Sequence, residues 1–384
     1  MKKVPAEFDD IRTLYDEEVA PAVAQIVAHP AIKQILPTIM GHDAAEYFLR
    51  TLRPAHSIDE FQQNIIVVLL AALEARTCGD VRLYGTEKID TAYGHMYISN
   101  HRDIVLDAAL LNVHLFYKGF NTTQIGIGNN LLAAPWIEYA MRLNKSYIVR
   151  RDGTLKEQLL ISKHLSEYIR QVVEVNRDGL WIAQREGRAK DGNDLTQASV
   201  LKMIAMAGEG STPEKLRRHR ILPVSITYEY DPCDYLKARE MQLKRDQSDY
   251  HKAPGEDVFS MKTGLIGYKG DVSFVINPEL EIPADIDALP RNQQAEAVAL
   301  LLDRAIHKGY RLFANQYIAA DLVTGRSDYA DQYTPQQREA FVRYIEGQIE
   351  KIDLPDKDVV FLRSRLWEMY ANPALNQRKA LSQA

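Results

Sequence analysis

Apolar residues recur along the chain with two different periods, and the change of period divides it. Over residues 7–77 the spacing is helical but interrupted by Pro21, Pro30, Pro37 and Pro54, which predicts several short helices rather than one long one. One of them is well marked: Ile58, Phe61, Ile65, Leu69 and Leu73 share a face behind a Ser57/Glu60 capping-box pair, and Gly79 closes the run. That stripe reads as core, with membrane docking as the alternative. Over 81–280 short apolar runs alternate with helical stretches, the pattern of an α/β fold. Strands are expected over 95–99, 124–127, 146–149, 180–183, 221–226 and 272–276, with helices over 104–116, 135–142, 155–175 and 195–207. After Pro290 the helical period returns in a long run to about Tyr317, followed by a helix opened by Thr334-Pro335 with Gln337 at the capping position. Residues 372–384 are polar and expected to fray. Three regions result: an N-terminal helical region (1–80), an α/β domain (81–285) and a C-terminal helical region (286–384).

Composition narrows the classes. With 384 residues, 46% hydrophobic and 26% charged, the chain is an ordinary globular one, neither disordered nor fibrous. A formal charge of −5 gives no support to non-specific nucleic-acid binding, so any phosphate site must be local. Cys78 and Cys233, the two cysteines, supply neither a disulfide framework nor paired metal-ligand spacing. The first residues turn acidic without an apolar core, unlike a secretory signal, and the longest apolar run, 65–73, is about half of the ~20 residues that span a bilayer. A cytoplasmic protein is expected, with peripheral contact at the inner membrane face.

Four segments carry candidate chemistry. The first is Ile98-Ser99-Asn100-His101-Arg102-Asp103-Ile104-Val105-Leu106-Asp107, in which a histidine leaves a strand and acids open the next helix. Such an arrangement can hold an imidazole in one tautomer beside a pocket, as general-base chemistry on a hydroxyl requires. The second, Tyr147-Ile148-Val149-Arg150-Arg151, brings two guanidinium groups to a strand end, where they are either solvated or bidentate phosphate ligands. The third, from Trp181 through Glu186-Gly187-Arg188 to Lys190, empties a strand into a glycine turn with an acid and several bases. In the fourth, Ile221-Leu222-Pro223-Val224-Ser225-Ile226, the proline removes a ladder donor and points to an edge or a mouth. Two partial matches are set aside. His101-Arg102-Asp103 lacks the kinase-type asparagine, since position 108 is Ala, and Gly126-Ile127-Gly128 lacks a third glycine at 131.

In this order and at these separations, the four segments resemble the conserved blocks of the glycerol-phosphate acyltransferase superfamily, over residues 81–285. His101 with Asp107, Tyr147 to Arg151, Glu186-Gly187-Arg188 and Pro223 correspond to its blocks, and Lys269 to Pro278 looks like its closing strand. The resemblance implies a mixed central sheet with helices on both faces, flanked here by the two helical regions. It implies O-acyl transfer from acyl-CoA or acyl-carrier protein to a hydroxyl of glycerol-3-phosphate or 1-acylglycerol-3-phosphate in phospholipid synthesis, with no metal and no cofactor beyond the acyl donor. His101 would be the base, Asp107 its orienting acid, and Arg102, Arg150, Arg151, Glu186, Gly187 and Arg188 the substrate-binding set.

Two departures stand out. Five residues rather than four separate His101 from Asp107, which makes Asp103 a competing acid, and Arg188 follows Gly187 one residue early, with Gln184-Arg185 in place of an aromatic pair. These leave open another hydroxyl acceptor, such as an amino-acid lipid, or a catalytically silent lipid-binding relative.

Overall fold

The computed structural model of the chain describes residues 2–382 apart from 53, 133, 151, 248 and 254. Seven strands, β1 (Val81–Tyr84), β2 (Met96–Ser99), β3 (Gln124–Gly128), β4 (Ser146–Val149), β5 (Leu180–Ala183), β6 (Ile221–Tyr228) and β7 (Val272–Ile276), form one sheet ordered β1-β7-β6-β2-β5-β3-β4. β2 to β6 run parallel, whereas β7 is antiparallel to β6 and carries β1 alongside it, so the sheet is mixed.

Side-chain alternation on these strands builds two cores, one on each face. Met96, Ile98, Leu180 and Ile182 pack with the helices Leu155–Arg170 and Arg291–Lys308, while Tyr97, Trp181 and Leu222 face Leu106–Tyr117 and Val67–Thr77. Packing runs across the boundaries expected from sequence, because Phe8, Ile11, Val298, Leu302 and Ile306 share the first core with the sheet. No single described helix is long and apolar enough to cross a membrane.

Several elements differ from the sequence reading. β1 is an additional strand, too short, with exposed Arg82, to stand out in the pattern. The helices Thr212–Arg218, Asp234–Asp246 and Glu256–Ile266 are additional too, the second a mostly polar helix with little apolar periodicity. The long run after Pro290 divides at Gly309 into Arg291–Lys308 and Ala314–Thr324. Pro223 marks no edge, since β6 lies between β7 and β2. Its carbonyl accepts from Asn277 N at 2.9 Å, so the donor it lacks faces chain just past the end of β7, where the ladder has stopped.

The expected fraying of 372–384 is also overturned for the described residues, which are helical through Ser382 (Val359–Ser382). The polar side chains there are ties rather than a solvated tail. Asn372 Nδ2 donates to the Asp191 carbonyl at 2.7 Å, and Asn376 Nδ2 to the Asn193 carbonyl at 3.0 Å. Between those two ties Gly192 adopts φ +70°, where a Cβ would come within 2.1 Å of the Met369 carbonyl oxygen. Gly192→Ala is therefore expected to lower stability by about 1–3 kcal/mol from backbone strain alone, and more once the contact is counted, read as a lower urea midpoint.

Candidate active site

Parallel strands send their C-terminal ends to a common edge, where crevices form in open α/β sheets. Here His101 follows β2, Arg150 follows β4, and Glu186, Gly187 and Arg188 follow β5; all five line one cavity of about 1630 Å³. Arg151 lies outside the described residues.

At the centre of this edge His101 Nδ1 is 2.8 Å from Asp107 Oδ2. The same oxygen accepts the backbone N–H groups of Arg102 at 2.6 Å and Asp103 at 3.1 Å, so the carboxylate is fixed from two sides before the ring reaches it. With an acceptor at Nδ1, the ring carries its proton there and leaves Nε2 as the acceptor edge. The Trp181 ring stands edge-on to the imidazole, with centroids 6.1 Å apart, and its indole N–H is held by Ser99 Oγ at 3.0 Å. Beside the dyad, burial and then the Asp107 and Asp103 charges push the Tyr228 phenol well above its ordinary pKa, so it stays a neutral hydroxyl.

Asp103, the competing acid, has other work. Its Oδ1 accepts from Val105 N at 2.9 Å and Leu106 N at 2.8 Å, capping the helix that carries Asp107. Burial, followed by the Asp107 charge, raises the Asp103 pKa.

The structure separates the other expected ligands. Arg102 is not a cavity ligand: its guanidinium is buried and paired with Asp194 Oδ2 at 2.5 Å, away from the lining. Arg188 lines the cavity, with one terminal nitrogen donating to Ser260 Oγ at 2.8 Å and the other, Nη1, without a hydrogen-bond partner among the described residues. Arg150 is half-exposed at the rim, 3.5 Å from Asp10. Gly187 has φ +66° and open space where a Cβ would stand, and the Glu186 backbone N–H is tied to Gln197 Oε1 at 2.7 Å.

Two features of the cavity were not among the residues expected from sequence. Toward β3 and the helix that follows it, Pro135–Leu143, the lining is apolar: Ile125, Ile127, Leu131, Ile137 and Met141. Elsewhere on the lining, Lys190, Lys244 and Lys252 gather around Glu240: Lys190 is in direct ion contact, Lys244 at 3.0 Å and Lys252 at 3.9 Å. Burial, with help from Lys244 and Lys252, pulls the Lys190 pKa down to about 8 although Glu240 opposes it. Lys190 belongs to the third segment and was in view as one of its bases. Lys244 and Lys252 sit in the connection between β6 and β7, where no motif marks them.

No family model and no curated protein matches this chain. Among solved structures, a crystal structure of the 1-acyl-sn-glycerophosphate (LPA) acyltransferase PlsC from Thermotoga maritima is similar over 73% of this chain and 96% of that one, with 12% identity and a TM-score of 0.37.

The different tasks of the two acids show in stability. Each holds two backbone donors, but those on Asp107 are both buried and it holds the His101 ring as well, so Asp107→Ala is expected to cost about 3 kcal/mol and Asp103→Ala, a lost cap with one part-buried donor, about 1–2 kcal/mol. Urea unfolding of both variants checks the ranking.

Proposed function

We propose that the protein is an O-acyltransferase that moves an acyl chain from a thioester to a hydroxyl, with His101 as general base. The observation that carries this reading is the His101–Asp107 pair, 2.8 Å apart, on the wall of a cavity that is apolar on one side and cationic on the other. The apolar arm suits an acyl chain, and the cationic arm suits phosphate on the donor, the acceptor or both.

In this reading the acceptor hydroxyl docks against Nε2 and gives up its proton as its oxygen attacks the thioester carbonyl. The tetrahedral intermediate then collapses with the thiolate as leaving group, and the imidazolium returns a proton to it. Asp107 holds the ring in the required tautomer and stabilises the transient cation. Donors are acyl-CoA or acyl-carrier protein, and glycerol-3-phosphate and 1-acylglycerol-3-phosphate are the acceptors to try first. Arg188 on the cavity lining, Arg150 at the rim and the Lys190 cluster are the groups available to phosphate in this reading.

Acceptor-dependent thiol release from acyl-CoA and from acyl-carrier protein tests the reading. Release should appear with at least one donor–acceptor pair and fall by about 10²–10⁴-fold in folded His101→Ala. Undiminished release in that variant, or none from the wild type with any pair, contradicts it.

A second expectation follows from Lys190. Its charge is present below about pH 8 and is lost above it, so KM for the phosphorylated substrate should rise severalfold between about pH 7 and pH 9. Lys190→Arg should flatten that rise. For stability the sign is opposite: between about 8 and the ordinary 10.5 the unfolded chain binds the extra proton, so this group's contribution improves with pH in that window.

A further inference from the structure

The loop after β5 does more than line the cavity: at its far end it reaches behind His101. Asp194 is fully buried, and its Oδ2 takes Arg102 Nη2 at 2.5 Å, Tyr310 Oη at 2.7 Å and Asn100 Nδ2 at 3.4 Å. Asn100 and Arg102 are the residues immediately before and after His101. That carboxylate oxygen therefore holds the residue after the dyad histidine firmly and the one before it weakly, since Asn100 is held mainly by β6, its Nδ2 donating to the Ile226 carbonyl at 2.9 Å and its Oδ1 accepting from Ile226 N at 2.8 Å. The grip extends to Asp107, because the backbone N–H of Arg102 is one of the two that fix the Asp107 oxygen.

The arrangement is costly. Asp194 holds a left-handed backbone, φ +46°, without being glycine, and its second oxygen, Oδ1, is buried without a hydrogen-bond partner among the described residues. A buried guanidinium–carboxylate pair gives little net stability over apolar residues of the same size. What it does supply is position, and the surroundings hold Asp194 in turn: His307 Nε2 lies 3.1 Å from the Asp194 carbonyl, and Asn376 holds Asn193. We propose that Asp194 is a positioning residue, acting through Arg102 to keep the His101 ring seated on Asp107. The inference rests on the reading of His101 as a base only for its kinetic consequence; the seating of the ring can be observed without turnover.

The test uses the full-length chain with Asp194→Asn, Arg102→Met and the double variant, compared by two readouts. In the first, ¹⁵N shifts of the His101 ring report its tautomer. The wild type should show the Nδ1-protonated form, and Asp194→Asn a mixture of both tautomers while far-UV circular dichroism stays native. In the second, acyl transfer, kcat should fall roughly tenfold in Asp194→Asn with KM within about twofold, since orientation rather than binding is lost. The double variant should be no worse than Arg102→Met, as expected of two residues acting in one chain of contacts. If Asp194→Asn does not fold, Tyr310→Phe, which removes one donor from the same oxygen, should show the tautomer mixture in weaker form. A ring that keeps the wild-type tautomer in the folded variants, a loss confined to KM, or additive losses in the double variant would overturn the proposal. A wild type without acyl transfer would overturn the general-base reading instead, and the tautomer result would still decide the role of Asp194.

Discussion

A single carboxylate oxygen, Asp107 Oδ2, receives the His101 ring and two backbone N–H groups, and much of the surrounding structure keeps it in that position. The turn from β2 into the helix Leu106–Tyr117 must bring residues 102 and 103 round so that both donors converge. Asp103 makes that turn by capping the helix, and the buried Arg102 side chain anchors it from behind. β2 sits between β5 and β6, so the chain ahead of His101 is held by ladders on both sides. An imidazole placed this way has Nδ1 committed to Asp107 on the wall of the cavity, which leaves Nε2 as its free acceptor.

The sheet explains why chemistry gathers at this edge. Parallel strands release their following loops at the same end, so the histidine after β2 shares one cavity with an apolar lining at β3 and with lysines from the loop after β5 and the β6–β7 connection. The two regions differ in origin as well as chemistry. The apolar side is made by the strands and the helix packed after β3, whereas two of the three clustered lysines come from the β6–β7 connection. That connection also carries the buried Lys237, which is paired with Asp231 at 2.5 Å, and Asp234, which accepts from Tyr344 at 2.7 Å and Tyr370 at 2.8 Å. Through these contacts the C-terminal helices support the cationic wall as well as the loop after β5.

How much of this could be read from the chain varies with the physics involved. The six strands expected from sequence were legible because each is a short apolar run bounded by polar or glycine-containing turns, and β4, β5 and β7 match to the residue. His101 and Asp107 were legible as a pair from their place between a strand and an apolar helix. The placement of Asp103 on the helix end was open in sequence, because two acids four residues apart look alike until backbone donors are counted. Arg102 was misread for a related reason: a guanidinium next to a site histidine reads as a substrate ligand, and only its distant partner Asp194, 92 positions along the chain, shows otherwise. The ties made by Asn372 and Asn376 were invisible for the same cause, since a polar helix that bonds to a loop has the composition of one that meets water.

The central claim is that His101 transfers a proton and never carries the acyl group. Single-turnover mixing of excess enzyme with a radiolabelled acyl thioester, quenched before and after addition of a hydroxyl acceptor, tests it most directly. The account predicts no protein-bound label and no thiol release until acceptor arrives, after which label appears only in the ester. Label on the protein, or a burst of thiol release without acceptor, would contradict it.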